Sequence, residues 1–268
     1  KTGGTPVHVK IELLEPSRLD NSRFVETEIY RTVVPEMLKS TPHLVQFHDT
    51  LVVDTKSLCS WLQPALRDTD DGTFFRILKQ LNGPNRIYHA LVTESVAGNS
   101  FEEWLRHMKH DKRFVEYFRH LLTQIACTLL VFEKFGLIHH DLHLENILVE
   151  ELPSETSFTY KKEDTGLPED VEIKTRFSAK IFDYDHSFKT PTDLNRKALF
   201  NVLLHDAFRE EFGQPGERSR MFCAEVGECN RFVRNYDWFV VITCLHIWLQ
   251  DLNDLNDLND LNDLNDLN

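Results

Sequence analysis

The sequence is poor in cysteine, and its five cysteines include no C-x-x-C pair. An odd number of scattered thiols argues against a disulfide framework, and the lack of paired thiols argues against a zinc site. The cysteines are Cys59, Cys127, Cys223, Cys229 and Cys244. We therefore expect an intracellular protein of a reducing compartment, cytoplasmic or nuclear.

The sequence also lacks a long apolar run and an excess of positive charge. The longest apolar stretch, 238–249, is interrupted by Thr243 and His246 and is shorter than the ~18 to 20 residues that cross a bilayer. Residues 1–6 lack the apolar core of a signal peptide. The formal net charge is -13, with acidic and basic residues mixed along the chain. We therefore expect neither a membrane nor a nucleic-acid partner.

A length of 268 residues, 41% of them hydrophobic, suffices for one large two-lobed domain or two small ones. Val7, Val9, Ile11 and Leu13 recur with period two, which predicts a strand with one buried face and Lys10 on the other face. Other predicted elements are a helix over 24–34 that Pro35 ends or kinks, strands at 44–47, 51–53 and 87–93, an insertion over 54–86 with turn signals at 70–72 and 82–84, and a helix opened by the capping-box pair Ser100 and Glu103.

The second half of the sequence predicts one long helix, because apolar residues recur at helical spacing from Phe114 until Gly136. Further predicted elements are a loop and strand over 139–149, a solvated excursion over 150–172, a strand over 179–182, and helical segments around 195–211 and 237–249. From residue 251 the sequence repeats Asp-Leu-Asn six times. A Leu at every third position makes no stripe on a helix, so we expect a disordered tail.

The strongest motif is His-His-Asp-Leu-His-Leu-Glu-Asn at 139–146, followed directly by an apolar segment. It resembles the protein-kinase catalytic loop, H-x-D-L-x-x-x-N, position by position. That family needs a carboxylate to accept the proton of the attacking hydroxyl and an amide oxygen to hold Mg²⁺. The resemblance implies these two roles for Asp141 and Asn146. The alternatives are a polar loop whose His pair caps a helix, and a metal site formed by His139 and His143.

A second motif, Lys-Ile-Phe-Asp-Tyr-Asp at 180–185, is an apolar strand that ends in an acid. It resembles the metal-binding D-F-G element of kinases, which implies that Asp183 binds Mg²⁺ between the phosphates of ATP. Asp185 stands in place of the usual Gly. The motif follows the catalytic loop in the expected order with a strand between them, which makes the pair specific.

Weaker matches depend on these two motifs. Residues 7–10 are similar to the kinase strand whose Lys pairs with the ATP phosphates, which makes Lys10 the candidate. Its implied partner is Glu26, because apolar residues follow it at i+3, i+4 and i+7, and Glu28 is the alternative. Alone, each would be read as an ordinary surface charge.

Residues 91–95 look like the hinge between kinase lobes, where backbone groups bind adenine. Thr93 would be the gatekeeper, Glu94 the first hinge residue and Ser95 its neighbour. The alternative is an edge strand that runs into a loop. Asp237 resembles the buried Asp that braces the catalytic loop, and it would also suit a helix N-cap.

The resemblance spans residues 7 to about 249 and implies a two-lobed α+β kinase-like fold. The small, mainly antiparallel β lobe would be 1–93, the mainly helical lobe 94–250, and the tail 251–268. No Gly-rich loop precedes Lys10, no Ala-Pro-Glu follows Asp183, and only about thirteen residues separate Trp238 from the repeat tail. We therefore expect a chain that is truncated at both ends or diverged. His143 replaces the usual Lys, which resembles haspin-type, large-DNA-virus and small-molecule kinases.

The implied function is ATP- and Mg²⁺-dependent phosphorylation of Ser or Thr hydroxyls on a protein substrate. A viral origin would place the chain in the host cell. One alternative is a kinase for small molecules, of the choline or aminoglycoside kind. The other is a pseudokinase that binds partners or nucleotide without turnover.

Overall fold

The computed structural model describes residues 6–14, 26–66, 86–185, 187–189 and 236–254. The strands are β1 (Val7–Leu14), β2 (Phe47–Asp54), β3 (Ile87–Glu94), β4 (Gly98–Ser100), β5 (Leu137–Ile138), β6 (Ile147–Tyr160), β7 (Val171–Ile181) and β8 (Phe188–Lys189). The helices are α1 (residues 26–37), α2 (Thr55–Leu66), α3 (Phe101–Met108), α4 (Phe114–Phe135), α5 (Lys162–Thr165) and α6 (Tyr236–Asp254). Within these ranges, no helix has the length and apolar character needed to cross a membrane.

The first sheet is antiparallel in the order β1-β3-β2. The buried face predicted for β1 holds for Ile11 and Leu13, which pack against Leu58 of α2 and Tyr88 of β3, whereas Val7 is exposed. Lys10 lies on the opposite face, because successive side chains of a strand point to opposite sides. Residues 54–86, predicted as an insertion, thus supply in α2 a helix that covers one face of the sheet. The two turn signals in that segment lie outside the described residues.

Helix α1 has an irregular centre that its proline explains. Residues Ile29–Val33 form a π turn, in which the N–H of Val34 bonds to the carbonyl of Ile29 five residues back. Pro35 has no N–H to donate, and a widened turn just before it accommodates the missing bond. The helix therefore continues to Met37 rather than ending at Val34. Phe24 and Val25, the first two residues of the predicted pattern, lie outside the described residues.

Helix α4 runs through the centre of the larger core, as its spacing predicted. Its buried apolar side chains include Leu121, Ile125, Leu129 and Phe132. The helix ends where Gly136 adopts φ 66°, a left-handed conformation that favours glycine. The capping box that opens α3 is also present, with Ser100 and Glu103 bonded reciprocally.

The solvated excursion predicted over 150–172 is wrong, because most of it is a long β-hairpin. β6 and β7 pair antiparallel, with β4 on the other side of β6, and α5 lies in the connection. The polar composition misled the prediction, since residues 151–159 of β6 are mostly exposed. The hairpin is anchored by Tyr160, which is fully buried and donates its hydroxyl proton to Nε2 of the buried His43 at 2.6 Å.

The predicted strand 44–47 is also wrong in extent. Leu44 makes an isolated parallel bridge to Ile181, residues 45–46 belong to no strand, and β2 begins at Phe47. This bridge holds the segment just before β2 against the end of β7, close to Asp183. The N–H of Val45 donates to the Ile181 carbonyl at 3.0 Å.

The C-terminal predictions have mixed outcomes. The segment 195–211 lies outside the described residues, and the helix predicted over 237–249 is present as α6. Because α6 continues to Asp254, the expected disorder is wrong for 251–254. The remaining repeats, 255–268, lie outside the described residues.

Gln124 offers a test of how α4 holds β7. Its buried amide donates to the carbonyl of Phe177 at 2.8 Å and accepts from the N–H of Ala179 at 2.7 Å. Gln124→Ala should lower the free energy of unfolding by ~2 to 4 kcal/mol, because two buried backbone groups lose their partners. Urea titration measures this, and Thr123→Ala on the same helix is the control, expected within ~0.5 kcal/mol of the parent. Equal losses in the two variants would contradict the role of the amide.

Candidate active site

The site is centred on the ammonium group of Lys10. Nζ lies 3.2 Å from Oε2 of Glu26, 2.7 Å from Oδ1 of Asp183 and 3.3 Å from Oδ2 of Asp185. These groups come from β1, from the first turn of α1 and from the segment after β7. The structure therefore brings together three of the residues selected from sequence. Glu28, the alternative partner, is exposed and pairs with Arg31 instead.

The charges in this cluster do not balance. Burial raises the pKa of Glu26 to about 7, against the lowering effect of Lys10, and the negative charges of Asp183 and Asp185 raise it further. Burial alone would lower the pKa of Lys10, but Glu26 and the two aspartates more than offset this, so that pKa is raised above its ordinary value. One ammonium thus faces three carboxyl groups in a partly buried site.

Two residues of the site, one of them in the Lys10 cluster, have a strained backbone. His140 has φ 70° and Asp183 has φ 66°, and these are the non-glycine residues with positive φ in the described part of the chain. Such conformations persist only where surrounding contacts enforce them. Asp237 accepts from the N–H of His140 at 2.8 Å, and the hydroxyl of Tyr30 accepts from the N–H of Asp183 at 3.2 Å.

Asp237 and His139 hold the loop onto the segment that carries Asp183. Asp237 also accepts from the N–H of His139 at 2.8 Å, as the brace implied from sequence requires. Burial raises the pKa of Asp237, while His139 and the two backbone bonds act to lower it. The imidazole of His139 is buried and donates from Nε2 to the carbonyl of Phe182 at 2.8 Å. His139 therefore links the loop to the segment that carries Asp183.

The loop itself orients Asp141 and Asn146. Nδ2 of Asn146 donates to the carbonyl of Asp141 at 2.8 Å, which leaves the amide oxygen of Asn146 as its acceptor group. The Asp141 side chain is 43% exposed, and its Oδ2 lies 3.6 Å from Nε2 of His143. His143 also accepts the N–H of Glu145 through Nδ1 at 3.2 Å, so it caps the 3₁₀ turn Leu144–Asn146.

Asn146 and Asp183 lie at the same end of neighbouring strands. β6 and β7 pair Ile147 with Ile181, and the N–H of Phe182 donates to the Asn146 carbonyl at 3.3 Å. Mg²⁺ prefers oxygen ligands and is commonly held by one or two side chains together with phosphates and water. The Asp183 carboxylate, the Asn146 amide oxygen and the surplus negative charge fit that ion. Within the described ranges, no three His, Cys, Asp or Glu residues form a metal cage of their own.

The cavity beside this cluster lies between the first sheet and the Asp183 segment. It has a volume of about 190 Å³. Its lining residues are His8, Lys10, Glu26, Tyr30, Leu91, Thr93, Phe182 and Asp183. Three predicted functions, the phosphate lysine, the gatekeeper and the metal ligand, therefore meet at one cavity.

The predicted hinge lies at the end of β3. Thr93 is buried, and the N–H of Glu94 donates to the carbonyl of Gln46 at 2.9 Å. The Glu94 carboxylate pairs with Lys180 of β7 at 2.8 Å, and Ser95 is exposed. Glu94 and Ser95 follow Thr93 but are not among the described residues that line the cavity.

Several residues of the site were missed or underused in the sequence interpretation. His8 lies two residues before Lys10 on a strand, so period two already placed it on the same face. Tyr30 lies four residues after Glu26 on a helix, which also places it on the same face. The contacts of Lys180 with Glu94 and of Asp185 with Lys10 had no such signal, because they join segments distant in sequence.

The three-stranded sheet with its Lys-Glu pair, the braced loop and the strand that ends at Asp183 define the two-lobed, α+β kinase-like fold. A family model described as protein tyrosine and serine/threonine kinase matches residues 77–182, which include the motif at 139–146. This match supports the protein-kinase-like superfamily, as the motifs predicted. Since the family covers both kinds of acceptor, the Ser/Thr preference and the haspin-type or viral branch stay predictions.

The chain is also similar to a solved structure, the crystal structure of the kinase domain of PF14_0431. The similarity has 15% sequence identity and a TM-score of 0.41, and it covers 72% of this chain and 46% of that one. The chain thus spans less than half the length of that solved chain. No curated protein matches this chain.

The raised pKa of Glu26 predicts a pH-dependent stability in the absence of nucleotide and Mg²⁺. Its folded value of about 7 lies above the ordinary value of 4.5, so the folded state binds more protons between these limits. Stability from this group is therefore present at low pH and is lost as the pH rises towards 7.

Glu26→Gln has no carboxyl group at this position and should not show this loss. From pH 5 to pH 8, its free energy of unfolding should therefore rise relative to that of the parent by on the order of 1 to 2 kcal/mol. Urea titrations at the two pH values measure the difference. Glu28→Gln, on the exposed side of the same helix, should show no such trend. A parent and Glu26→Gln pair with parallel pH profiles would contradict the prediction.

Proposed function

We propose that this chain is an ATP- and Mg²⁺-dependent phosphotransferase that transfers the γ-phosphoryl group of ATP to a Ser or Thr hydroxyl of a protein. The observation that carries the proposal is the contact of Lys10 Nζ with both Glu26 and Asp183, at 3.2 Å and 2.7 Å. A lysine held between these two carboxylates is positioned to orient phosphates beside a metal ligand. The family match to residues 77–182 supports the same reaction class.

In this proposal Lys10 contacts the phosphates and Glu26 holds Lys10 in position. Asp183 and Asn146 would hold Mg²⁺, which would neutralise charge on the phosphates. Asp141 accepts the proton of the attacking hydroxyl, because its carboxylate is accessible and its backbone is fixed by Asn146. Tyr30 and Asp237 keep the strained backbone in place before substrate arrives.

The base of ATP would lie against the end of β3. The N–H of Glu94 is already bonded to Gln46, so the carbonyl of Glu94 and the backbone groups of Ser95 are the ones available to a base edge. Thr93 would bound the back of that site. The pairing of Glu94 with Lys180 fixes this segment against β7.

The second candidate function is phosphorylation of a small molecule. Asp185 favours it, because this extra carboxylate contacts Lys10 at 3.3 Å where a glycine is usual in protein kinases.

Within the first function, we propose that the relatives of this chain are haspin-type or viral protein kinases. The three described cysteines are free, which is consistent with the proposed reducing, intracellular location.

The reaction is tested by offering γ-labelled ATP and Mg²⁺ with generic proteins and, separately, with small alcohols and aminoglycosides. Label on protein supports the first function, and label only on a small molecule supports the second. Asp141→Asn should lower the transfer rate by ~10²-fold or more, because it removes the proton acceptor. Asp170→Asn, an exposed position on the hairpin connection, is the control. ATP binding without transfer to any acceptor would identify a pseudokinase instead.

Nucleotide binding separates the metal ligands from the proton acceptor. Asp183→Asn should weaken magnesium-dependent ATP binding by ~10-fold or more, because it removes a charged ligand from a divalent ion. Asn146→Ala removes a neutral oxygen and should have a smaller effect, and Asp141→Asn should bind like the parent. Calorimetry with ATP, in Mg²⁺ and in EDTA, measures all three. If Asp183→Asn binds normally while Asp141→Asn does not, the proposed roles are wrong and Asp185 becomes the next candidate ligand.

A further inference from the structure

The β6–β7 hairpin returns to the strand end that carries Asp183. Its base pairs Ile147 with Ile181, two residues before Asp183, and β6 ends at Tyr160. The pairing register shifts after Glu151, and an irregularity of this kind bends a strand. The side chain of Tyr160 comes back to the segment between α1 and β2, where its hydroxyl meets a buried histidine.

That histidine, His43, joins the hairpin to the end of β7. Its buried ring has Nδ1 at 3.0 Å from the carbonyl oxygen of Ala179 and Nε2 at 2.6 Å from the hydroxyl of Tyr160. Its backbone carbonyl accepts the N–H of Ile181 at 2.9 Å. His43 therefore holds β7 at the positions four and two residues before Asp183.

The two ring bonds together fix the tautomer of His43. A carbonyl oxygen can only accept, so Nδ1 carries the proton and Nε2 accepts from the Tyr160 hydroxyl. Burial lowers the pKa of His43 to about 3, so the ring is neutral. The hydroxyl of Tyr160 thus stabilises the tautomer that can donate to Ala179. Loss of the hydroxyl would admit the other tautomer, which has no proton for that carbonyl.

The strand held in this way leads directly to the proposed metal ligand. Asp183 has φ 66°, a conformation that surrounding contacts must enforce. Mg²⁺ demands near-ideal octahedral geometry, so it tolerates little displacement of a ligand. Removal of groups that orient a ligand from outside the coordination sphere typically costs ~10- to 100-fold in metal affinity. A loosened β7 end should therefore affect the binding of Mg²⁺ before it affects the nucleotide itself.

We propose that Tyr160 is a positioning residue that acts through His43 on the end of β7 and so orients Asp183 towards Mg²⁺. The proposal rests on the proposed function, which supplies the complex of Mg²⁺ and nucleotide. Tyr160 and His43 are not among the described residues that line the cavity. Their influence passes through the backbone of β7, and the hairpin acts on the reaction as well as on the fold.

The test is calorimetry with ATP on the full chain, in Mg²⁺ and in EDTA. Tyr160→Phe keeps the buried ring and removes the hydroxyl. It should weaken ATP binding in Mg²⁺ by about three- to tenfold, less than the loss of a direct partner of the ligand. Binding in EDTA should change by less than about twofold, because no group that contacts the nucleotide is altered.

A second variant tests the route through His43. His43→Asn is too short to accept from the Tyr160 hydroxyl, and its amide can turn either nitrogen or oxygen to Ala179. It should show the same selective weakening in Mg²⁺. In this background Tyr160→Phe should have no further effect, since the two residues act as one unit. His43→Asn also keeps the test decisive if Tyr160→Phe does not fold.

Tyr117→Phe is the matched control. Tyr117 is another buried tyrosine whose ring packs on β7, with its centroid 4.9 Å from that of Phe177. Its loss of a hydroxyl should leave both ATP affinities unchanged. Melting temperatures show whether each variant is folded. Unfolded molecules reduce the number of binding sites rather than the ratio of the two affinities, so lower stability alone cannot produce the expected selectivity.

Three outcomes, with a parent that binds Mg²⁺–ATP and transfers phosphate, would refute the positioning role alone. Equal weakening in Mg²⁺ and EDTA would mean that Tyr160 supports the whole nucleotide site. Unchanged binding by Tyr160→Phe would mean that the hydroxyl only anchors the hairpin. Additive losses in the double variant would mean that Tyr160 does not act through His43. A parent that binds ATP no better in Mg²⁺ than in EDTA, and transfers no phosphate, would refute both the positioning role and the proposed function.

Discussion

The structure of the site depends on one partly buried ammonium group. Lys10 is bonded to carboxylates that lie 16, 173 and 175 residues further along the chain. A charge withdrawn from water must be paired, so the sheet, helix α1 and the end of β7 have to meet at this point. The remaining contacts of the core keep these three segments in register with one another.

The second constraint is backbone strain near that ammonium. Asp183 adopts a conformation that costs energy in a non-glycine residue, and it is held by contacts from two directions. Tyr30 approaches from α1, and His139 approaches from the 139–146 loop through the carbonyl of Phe182. Asp237 in turn fixes the loop from α6. Contacts from α1, and from α6 through the loop, therefore both act on the orientation of the Asp183 carboxylate.

Local patterns in the sequence predicted the parts of the fold that depend on periodicity. The alternation in β1 placed Lys10 on the face opposite Ile11, and the helical register after Glu26 selected it over Glu28. What periodicity could not predict were features decided by distant partners. The hairpin of β6 and β7 is stabilised by Tyr160 against His43, which are 117 residues apart.

The same distinction applies within the site, because sequence motifs name residues without giving their charge balance. Asp185 was noticed as a missing glycine, but its contact with Lys10 changes the electrostatics of the whole cluster. Two aspartates and one buried glutamate now face one ammonium. Burial is the main cause that raises the pKa of Glu26, and the charges of the two aspartates raise it further. A divalent cation would supply the missing positive charge. Asp183 is the carboxylate closest to Lys10 and also the one aligned with Asn146, so ammonium and cation would share it.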